Sequence, residues 1–407
     1  MVPRRWYGLI FLPLLAACAD ERPTPAAPEA TVSFRPARDE GAEPIPGRWI
    51  VTLREDDGSV QSARGRGAEA LRGVAERISA RHAGRVRHVY SAVLTGFATE
   101  MSEAEARAMA RDPEVALVEQ DQVVRKWQAT QSPTPSWGLA RIDQRARPVG
   151  SSFTYRATGA GVRAYILDTG IRPGHVDFGG RVSGGFTSIA DGRGTDDCDG
   201  HGTHVAGTVG GAAYGVAKAV TLVPVRVLDC NGSGSWSGVI AGIDWVASNH
   251  VKPAVANMSL GGGASTSVDN AVANAIARGV IVVVAAGNSN RDACGFSPAR
   301  TAAAITVGST TTSDARSSFS NFGRCLDLFA PGSSIVSTWF TSNTATATLS
   351  GTSMASPHVA GVAAQYLQSN PGASPATVRN ALVANATTGV VTSAGRNSPN
   401  RLLYTNY

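Results

Sequence analysis

The spacing of apolar residues changes along the chain and divides it into two predicted folding units. From Ile45 to about Asp121, strand-like and helix-like runs follow one another in the order βαββαβ. From about Ala160 onward, nearly continuous apolar runs alternate with helical patterns. Such runs are typical of parallel strands that helices cover on both faces. We therefore predict an α/β domain with a mainly parallel sheet and helices on both faces, preceded by a small α+β domain.

The small domain is predicted to have six elements. Its second helix should begin at Ser102, because Glu105 follows at the spacing of a capping box. The predicted strands are 48–53, 86–90, 94–98 and 115–119, and the predicted helices are 68–80 and 102–111.

The large domain repeats a strand followed by a helix. In parallel sheets of this kind, ligands bind beyond the carboxyl ends of the strands. The predicted strands are 162–167, 222–228, 254–258 and 280–285, and helices are predicted to include 205–209, 238–249, 268–278 and 374–386.

The first residues have the pattern of an export signal. Residues 1–18 begin with two arginines, continue with a short apolar run and end in Leu-Ala-Ala-Cys. The run is too short for a spanning helix, which needs about 20 apolar residues. Two interpretations stay open: a lipoprotein signal with Cys18 lipidated, or a plain secretory signal. Residues 19–44 are rich in proline and alanine and lack periodicity, so we expect a flexible linker.

Composition narrows the class of protein. The chain has 407 residues, of which 43% are hydrophobic, and this suits one large domain plus a smaller one. The formal charge of +6 does not come from runs of lysine and arginine interleaved with aromatic residues. We therefore expect no binding of nucleic acid, and we expect a monomer.

Three short motifs place polar residues at turns of the large domain. Asp168 follows a buried strand, His201 lies in a glycine-rich turn before a helix, and Ser353 lies in the first turn of a buried helix. Each residue alone also suits a helix cap or a turn. His201 and His204 are three residues apart without a third ligand nearby, which is a weak signal for zinc.

Together these motifs resemble the subtilisin family, in particular its aqualysin and proteinase K branch. They are Asp-Thr-Gly at 168–170, His-Gly-Thr-His at 201–204 and Gly-Thr-Ser-Met-Ala-Ser-Pro-His at 351–358. The resemblance runs from about Trp137 to the C-terminus. It implies a serine endopeptidase in which the aspartate orients the histidine and the histidine activates the serine, which forms an acyl-enzyme.

The resemblance also assigns residues that hold the substrate. Asn288 and the backbone N–H of Ser353 would stabilise the oxyanion. Two edges of small residues suit pairing with an extended peptide, which predicts broad specificity. Trp236 would border a pocket for the fourth residue before the cut, although an exposed loop tryptophan stays an alternative. The predicted substrate-binding residues are Gly232, Ser233, Gly234, Trp236, Ser259, Leu260, Gly261, Ala285 and Gly287.

Four cysteines remain when Cys18 is set aside. An even number in an exported chain implies disulfides, and four cysteines allow three pairings. The resemblance to aqualysin selects Cys198–Cys230 and Cys294–Cys325.

Structural Ca²⁺ is also implied by the resemblance. One site would use the Asp327 side chain with the carbonyls of Ala302 and Ala304. A second site near the start of the large domain keeps Asp143 and Gln144 but has lost other acids that relatives place there. A further acidic loop either binds another ion or is merely solvated, and it contains Asp191, Asp196 and Asp197.

Residues 45–128 resemble the inhibitor-type propeptide of this family. Its tail at 123–128 would lie in the cleft like a product, and self-cleavage between Gln128 and Ala129 would release a protease domain of residues 129–407. The propeptide would be an intramolecular inhibitor, and polypeptides would be the substrates. A permanent regulatory domain, an inactive peptide-binding protein and an unprocessed, surface-anchored lipoprotein protease are the alternatives.

Overall fold

A computed structural model describes the chain in two compact units, Met1–Lys126 and Trp127–Tyr407. The predicted signal with Cys18, most of the linker and the tail that ends at Gln128 lie outside the described residues. The described residues are 34–36, 44–92, 94–122, 129–147 and 149–407.

The first unit is built on one antiparallel sheet with an added parallel edge. Its described strands are in the order β1-β5-β2-β4-β3, and β1 pairs with β5 in parallel. The elements are β1 (Phe34–Arg35), β2 (Pro44–Leu53), α1 (Gly58–Gly65), α2 (Ala68–Arg81), β3 (Arg85–Tyr90), β4 (Gly96–Glu100), α3 (Glu103–Met109) and β5 (Val115–Gln122).

Two features of this unit differ from the prediction. Phe34 lies in a strand rather than in a flexible linker, and its ring lies 5.2 Å from the ring of buried Trp49. Helix α1 was not predicted, and Asp57 caps it by accepting hydrogen bonds from two backbone N–H groups. The capping box that we predicted for α3 is present: Glu105 N donates to Ser102 Oγ, and Ser102 N donates to Glu105.

The second unit contains the remaining elements. The strands are β6 (Ala129–Gln131), β7 (Phe153–Tyr155), β8 (Arg163–Asp168), β9 (Phe186–Thr187), β10 (Thr221–Arg226), β11 (Ala254–Met258), β12 (Gly262–Gly263), β13 (Ile281–Ala285), β14 (Phe296–Ser297), β15 (Ile305–Thr310), β16 (Leu328–Pro331), β17 (Ile335–Thr338), β18 (Thr346–Leu349), β19 (Thr387–Thr388) and β20 (Arg401–Leu402). The helices are α4 (Trp137–Ile142), α5 (His201–Gly210), α6 (Trp236–Asn249), α7 (Thr266–Ala277), α8 (Thr352–Ser369) and α9 (Pro375–Asn385), with short 3₁₀ turns at Val176–Phe178 and Ala293–Gly295.

A nine-stranded sheet of the described residues forms the centre of this unit. Its order is β19-β20-β16-β15-β13-β11-β8-β10-β9, and every neighbouring pair except β19 with β20 is parallel. Strand β8 lies between β10 and β11, so the chain winds in opposite directions from it. The end of β8 is therefore a switch point of the kind where α/β sheets bind ligands.

Helices pack on both faces of the sheet because alternate strand residues point to opposite faces. Ala164 and Ile166 belong to the core under α5 and α8, whereas Tyr165 and Leu167 belong to the core under α6 and α7. The predicted fold class is thus confirmed: a mainly parallel sheet with helices on both faces, preceded by a small α+β unit. No helix of the described residues is long and apolar enough to cross a membrane.

Candidate active site

Asp168 and His201 meet where β8 ends and α5 begins. Asp168 is fully buried, and its Oδ1 lies 2.7 Å from Nδ1 of His201. The helix can come this close because residue 202 is glycine: a Cβ there would overlap the carbonyl oxygen of Gly170. The second carboxylate oxygen, Oδ2, is buried without a hydrogen-bond partner among the described residues. Oδ1 also accepts the backbone N–H of Thr169 at 2.8 Å, which holds the carboxylate while it contacts the imidazole.

The acidic surroundings raise the pKa of His201. Burial disfavours the charged imidazole, but the attraction and hydrogen bond of Asp168, together with the charges of Asp199 and Asp197, outweigh burial. An imidazole that accepts a proton here is consequently stabilised as the cation, which suits a general base.

A network behind His201 was not predicted from the sequence. Asp197 accepts hydrogen bonds from the hydroxyls of Thr169 and Thr203 and from the backbone N–H groups of residues 199, 200 and 203. Thr169 Oγ1 in turn accepts a hydrogen bond from Gly202 N. These contacts fix the turn that carries His201 against the end of β8.

The neighbouring His204 is not paired with His201. It is fully buried, its Nε2 lies 3.0 Å from the carbonyl oxygen of Ile335, and burial lowers its pKa to about 4. His204 is therefore a neutral histidine packed in the interior, and it does not support a zinc site.

Ser353 is the second residue of α8, at the end of the helix where backbone N–H groups lack partners within the helix. Its hydroxyl donates to the carbonyl of Ser259 at 3.0 Å, and in this structure it does not form a hydrogen bond with His201. Ser353 and His201 line neighbouring cavities that share the wall of residues 259–262. Catalytic hydrogen bonds are often made only when substrate binds.

Asn288 follows β13 and lies beside the start of α8. Its Oδ1 accepts two hydrogen bonds from Thr352, at 2.8 Å from N and 2.9 Å from Oγ1. Since the oxygen is occupied, the amide nitrogen is the atom that can donate to a ligand. Thr352 was not predicted as a site residue. Its place directly before Ser353 in the Gly-Thr-Ser motif is the feature of the sequence that could have indicated it.

Two cavities share the wall of residues 259–262. The larger, about 540 Å³, is lined by His201 and Trp236 among others, and the smaller, about 310 Å³, is lined by Asn288 and Ser353. The smaller cavity has no charged lining residue. The predicted substrate-binding residues all line one or both cavities: Gly232, Ser233, Gly234, Trp236, Ser259, Leu260 and Gly261 line the larger, and Ser259, Leu260, Gly261, Ala285 and Gly287 line the smaller.

Trp236 is the first residue of α6 rather than a loop residue, because Ser235 caps the helix. Its ring packs closely on the shared wall, where a Cβ at Gly262 would lie 2.8 Å from it. The tryptophan ring therefore lines the larger cavity beside the shared wall.

Both predicted disulfides are confirmed. Cys198 is bonded to Cys230 and Cys294 to Cys325. The first bond joins the segment before His201 to the loop that leads to Gly232, so it ties together two segments that line the larger cavity.

The acidic loop is held by protein groups. The buried guanidinium of Arg226 forms two hydrogen bonds with Asp191, at 2.7 and 2.6 Å, and lies 3.2 Å from the sulfur of Cys198. Asp197 belongs to the network described above, whereas Asp196 is exposed.

The residues predicted for calcium do not fit that ion. One oxygen of Asp327 accepts hydrogen bonds from two nitrogens of Arg379, at 2.8 and 2.5 Å, and the other accepts the N–H of Thr306. The predicted site consists of the Asp327 carboxylate and the carbonyls of Ala302 and Ala304, so Asp327 is its only charged ligand. The guanidinium of Arg379 already neutralises that charge. Calcium sites instead use carboxylates whose charge is available to the ion.

The second predicted calcium position is also filled by protein groups. The amide nitrogen of Gln144 donates to the carbonyl of Ala140 at 2.6 Å, and Asp143 accepts the N–H of Thr154 at 2.7 Å. Both side chains predicted for this position are therefore bonded to backbone groups of the protein.

The predicted cleavage point is described on one side only. Ala129 begins β6, which pairs antiparallel with β7, so that Ala129 lies opposite Tyr155.

Comparison with known proteins agrees with this geometry. Residues 159–403 match the Subtilase family, and residues 48–126 match Peptidase inhibitor I9. "Extracellular serine proteinase" of Thermus sp. (strain Rt41A) is 55% identical over 406 residues, covering 98% of each chain. "Alkaline serine exoprotease A" of Vibrio alginolyticus is 51% identical over 334 residues, covering 81% of this chain and 62% of the relative. A solved structure of a cold adapted subtilisin-like serine proteinase has a TM-score of 0.66 and 54% identity, covering 68% of this chain and all of that chain.

Proposed function

The chain belongs to the subtilase family and is a serine endopeptidase, and on this premise we propose that Asp168, His201 and Ser353 are its catalytic residues. The observation that carries the proposal is the 2.7 Å contact between Asp168 and His201, because His201 lines a cavity whose wall of residues 259–262 also borders the cavity of Ser353.

In the proposed reaction, the hydroxyl of Ser353 first turns from the Ser259 carbonyl to the imidazole of His201. Its oxygen attacks the peptide carbonyl carbon while its proton passes to the histidine. The peptide C–N bond then breaks as His201 gives this proton to the leaving amine. Water attacks the acyl-enzyme in the same way, which releases the acid and returns the proton to Ser353.

Asn288 and the N–H of Ser353 stabilise the oxyanion in this proposal. The two hydrogen bonds from Thr352 to the Asn288 oxygen support it, because they leave the amide N–H groups as the donors toward the smaller cavity. Donors that are already oriented need no reorganisation during the reaction, and this is why they accelerate it.

The substrate is proposed to be an extended polypeptide of broad sequence. The edges at 232–234 and 259–262 offer small residues and backbone groups for pairing, which recognises a chain with little regard to its side chains. The uncharged lining of the smaller cavity supports an apolar or small side chain at the residue that is attacked.

The first unit is proposed to act as an intramolecular inhibitor that is removed by self-cleavage between Gln128 and Ala129. Its match to Peptidase inhibitor I9 supports this role. The pairing of Ala129 with Tyr155 also supports it, because a new N-terminus at this residue would already be held in a strand. Export of the enzyme is proposed from the basic and apolar start of the sequence and from the extracellular relative.

Intact mass and N-terminal sequencing of the wild type and Ser353→Ala, both expressed with export, test this proposal. A wild-type product that starts at Ala129, together with an uncut variant, is expected. Identical cutting of both would assign maturation to another protease. An uncut wild type that keeps lipid on Cys18 would instead support the surface-anchored precursor.

A further inference from the structure

We propose that Asn321 is a positioning residue for the reaction, which holds the turn that carries Asn288 so that the Asn288 amide is placed to donate to the oxyanion. This inference rests on the proposed function and adds a residue to which that function assigns no role. Asn321 lies far along the chain from Asn288, and it was not among the residues predicted from the sequence.

The side chain of Asn321 is fully buried and forms three hydrogen bonds with the turn. Its amide nitrogen donates to the carbonyl of Ala286 at 2.8 Å. Its amide oxygen accepts the backbone N–H groups of Ser289 and Arg291, each at 3.0 Å. These partners lie before and after Asn288 in the chain, so one side chain fixes the backbone on both sides of that residue.

Gly287 allows the amide of Asn321 to come this close. A Cβ at residue 287 would lie 2.5 Å from the amide nitrogen of Asn321. The φ angle of Gly287 is +97°, a conformation that glycine adopts without strain. Its carbonyl also accepts the backbone N–H of Asn321 at 2.8 Å. The turn is therefore shaped to receive this side chain.

Two separate groups set the position of Asn288. Thr352 fixes the oxygen of its side chain, whereas Asn321 fixes the backbone next to it. Asn321 itself lines neither cavity, so it does not touch a substrate bound there. Its effect on the reaction therefore passes through the turn.

The loss of activity without Asn321 should be smaller than the loss without Asn288, because backbone hydrogen bonds of the turn remain. One of them joins the N–H of Asn290 to the carbonyl of Phe319 at 2.8 Å. Removing an oxyanion donor costs about 10²–10³ in kcat, and a shift of about 1 Å can cost about 10². For Asn321→Ala we expect a fall of about tenfold to thirtyfold in kcat, with little change in KM.

The test is a double-mutant cycle on enzyme from the full-length chain with one peptide substrate. It compares the wild type, Asn288→Ala, Asn321→Ala and the double variant. If Asn321 acts through Asn288, its replacement should cost nothing more once the Asn288 amide is gone. The double variant should then have the kcat of Asn288→Ala.

Two results would overturn the inference while leaving the proposed function intact. One is a further fall of about tenfold in the double variant, which would mean that the two residues act independently. The other is a rise in KM at unchanged kcat in Asn321→Ala, which would mean that the turn acts on substrate binding. An unchanged kcat in Asn288→Ala would instead overturn the proposed oxyanion site.

Gln365→Ala is the matched control. Gln365 is also a fully buried amide with three hydrogen bonds, to Ala157, Val216 and Thr405, and it lines neither cavity. Both alanine variants should lower Tm, but only Asn321→Ala should lower kcat. An equal fall in kcat in both would assign the effect to general loosening and overturn the inference. If Asn321→Ala does not fold, Asn321→Ser, which leaves a smaller gap, takes its place in the same comparison.

Discussion

Ser259 and Ser353 exchange hydrogen bonds: the hydroxyl of Ser259 donates to the carbonyl of Ser353 at 2.8 Å, and the hydroxyl of Ser353 donates to the carbonyl of Ser259 at 3.0 Å. The first bond exists because Pro357, inside α8, has no N–H to donate to the carbonyl four residues earlier. The hydroxyl oxygen of Ser259 also accepts a hydrogen bond from the amide nitrogen of Asn257. The amide oxygen of Asn257 in turn accepts one from the hydroxyl of Ser356. The residue proposed as nucleophile is therefore held through a carbonyl that the helix itself leaves free.

Replacing Ser259 by alanine should lower stability, because the freed carbonyl of Ser353 loses its donor. We expect a loss of about 1–3 kcal/mol in the free energy of unfolding, measured with denaturant in the inactive Ser353→Ala background. Pro357→Ala supplies an N–H to this carbonyl, so Ser259→Ala should cost less in a Pro357→Ala protein. An equal loss of stability in both backgrounds would show that the hydrogen bond from Ser259 to the Ser353 carbonyl does not cause the loss.

Replacing Asn288 by alanine should lower kcat by about 10²–10³ with little change in KM, because the donor acts on the oxyanion rather than on the bound substrate. Thr352→Val removes one of the two bonds that orient Asn288, and we expect a smaller loss. Thr352→Ser keeps the hydroxyl and is the control. A rise in KM at constant kcat in Asn288→Ala would contradict the assignment.

The acid limb of the pH profile should lie above the ordinary pKa of histidine, 6.5, because the pKa of His201 is raised. Burial lowers this pKa, but the charge and hydrogen bond of Asp168 and the charges of Asp199 and Asp197 raise it further than burial lowers it. Protonated His201 cannot accept the serine proton, so activity is lost as pH falls through this pKa.

Asp199→Asn removes one anion near the imidazole, so the pKa of His201 should fall and activity should persist to lower pH. The measurement is kcat/KM against pH with a neutral peptide, which reports the pKa in the free enzyme. A limb that moves to higher pH, or stays in place, would exclude an electrostatic contribution of Asp199.

The two disulfides close loops of nearly equal length, 32 and 31 residues. Chain entropy assigns each about 4 kcal/mol, so Cys198→Ala/Cys230→Ala and Cys294→Ala/Cys325→Ala should lose similar stability in chemical denaturation. The first variant should also show the larger rise in KM for long peptides, because its bond joins two segments that line the larger cavity. Equal KM values in the two variants would argue against that link.

The Asp327 site should not contribute to any effect of calcium. Because Arg379 neutralises this carboxylate, we expect a chelator to change the Tm of the wild type and of Asp327→Asn by the same amount. Differential scanning calorimetry with and without chelator measures this in the inactive Ser353→Ala background. A chelator effect that disappears only in Asp327→Asn would restore calcium to this position.

Local sequence patterns predicted the strands and helix ends that depend on residues close together in the chain. The apolar runs predicted the central strands β8, β10, β11 and β13, and Ser102 with Glu105 predicted the start of α3. Strand β15 was missed because threonine, glycine and serine interrupt its apolar run, and β16 and β20 were missed because they have only four and two residues.

Contacts between distant residues could not be predicted in this way. Arg379 lies 52 residues after Asp327, and nothing in either local sequence indicates that they meet. The same holds for Asp197 with Thr169, 28 residues apart. The motifs thus located the candidate catalytic residues, while the groups that orient or neutralise them became visible only in the fold.

The bond between Cys198 and Cys230 has a consequence for where the cleft acquires its covalent support. Disulfides form in oxidising surroundings and are rare in the cytosol. If the chain is exported as proposed, this bond forms only after the chain has left the cytosol. The neighbouring cavity residues Asp199 and Gly232 are then carried on segments that are covalently joined, and this support belongs to the exported protein alone.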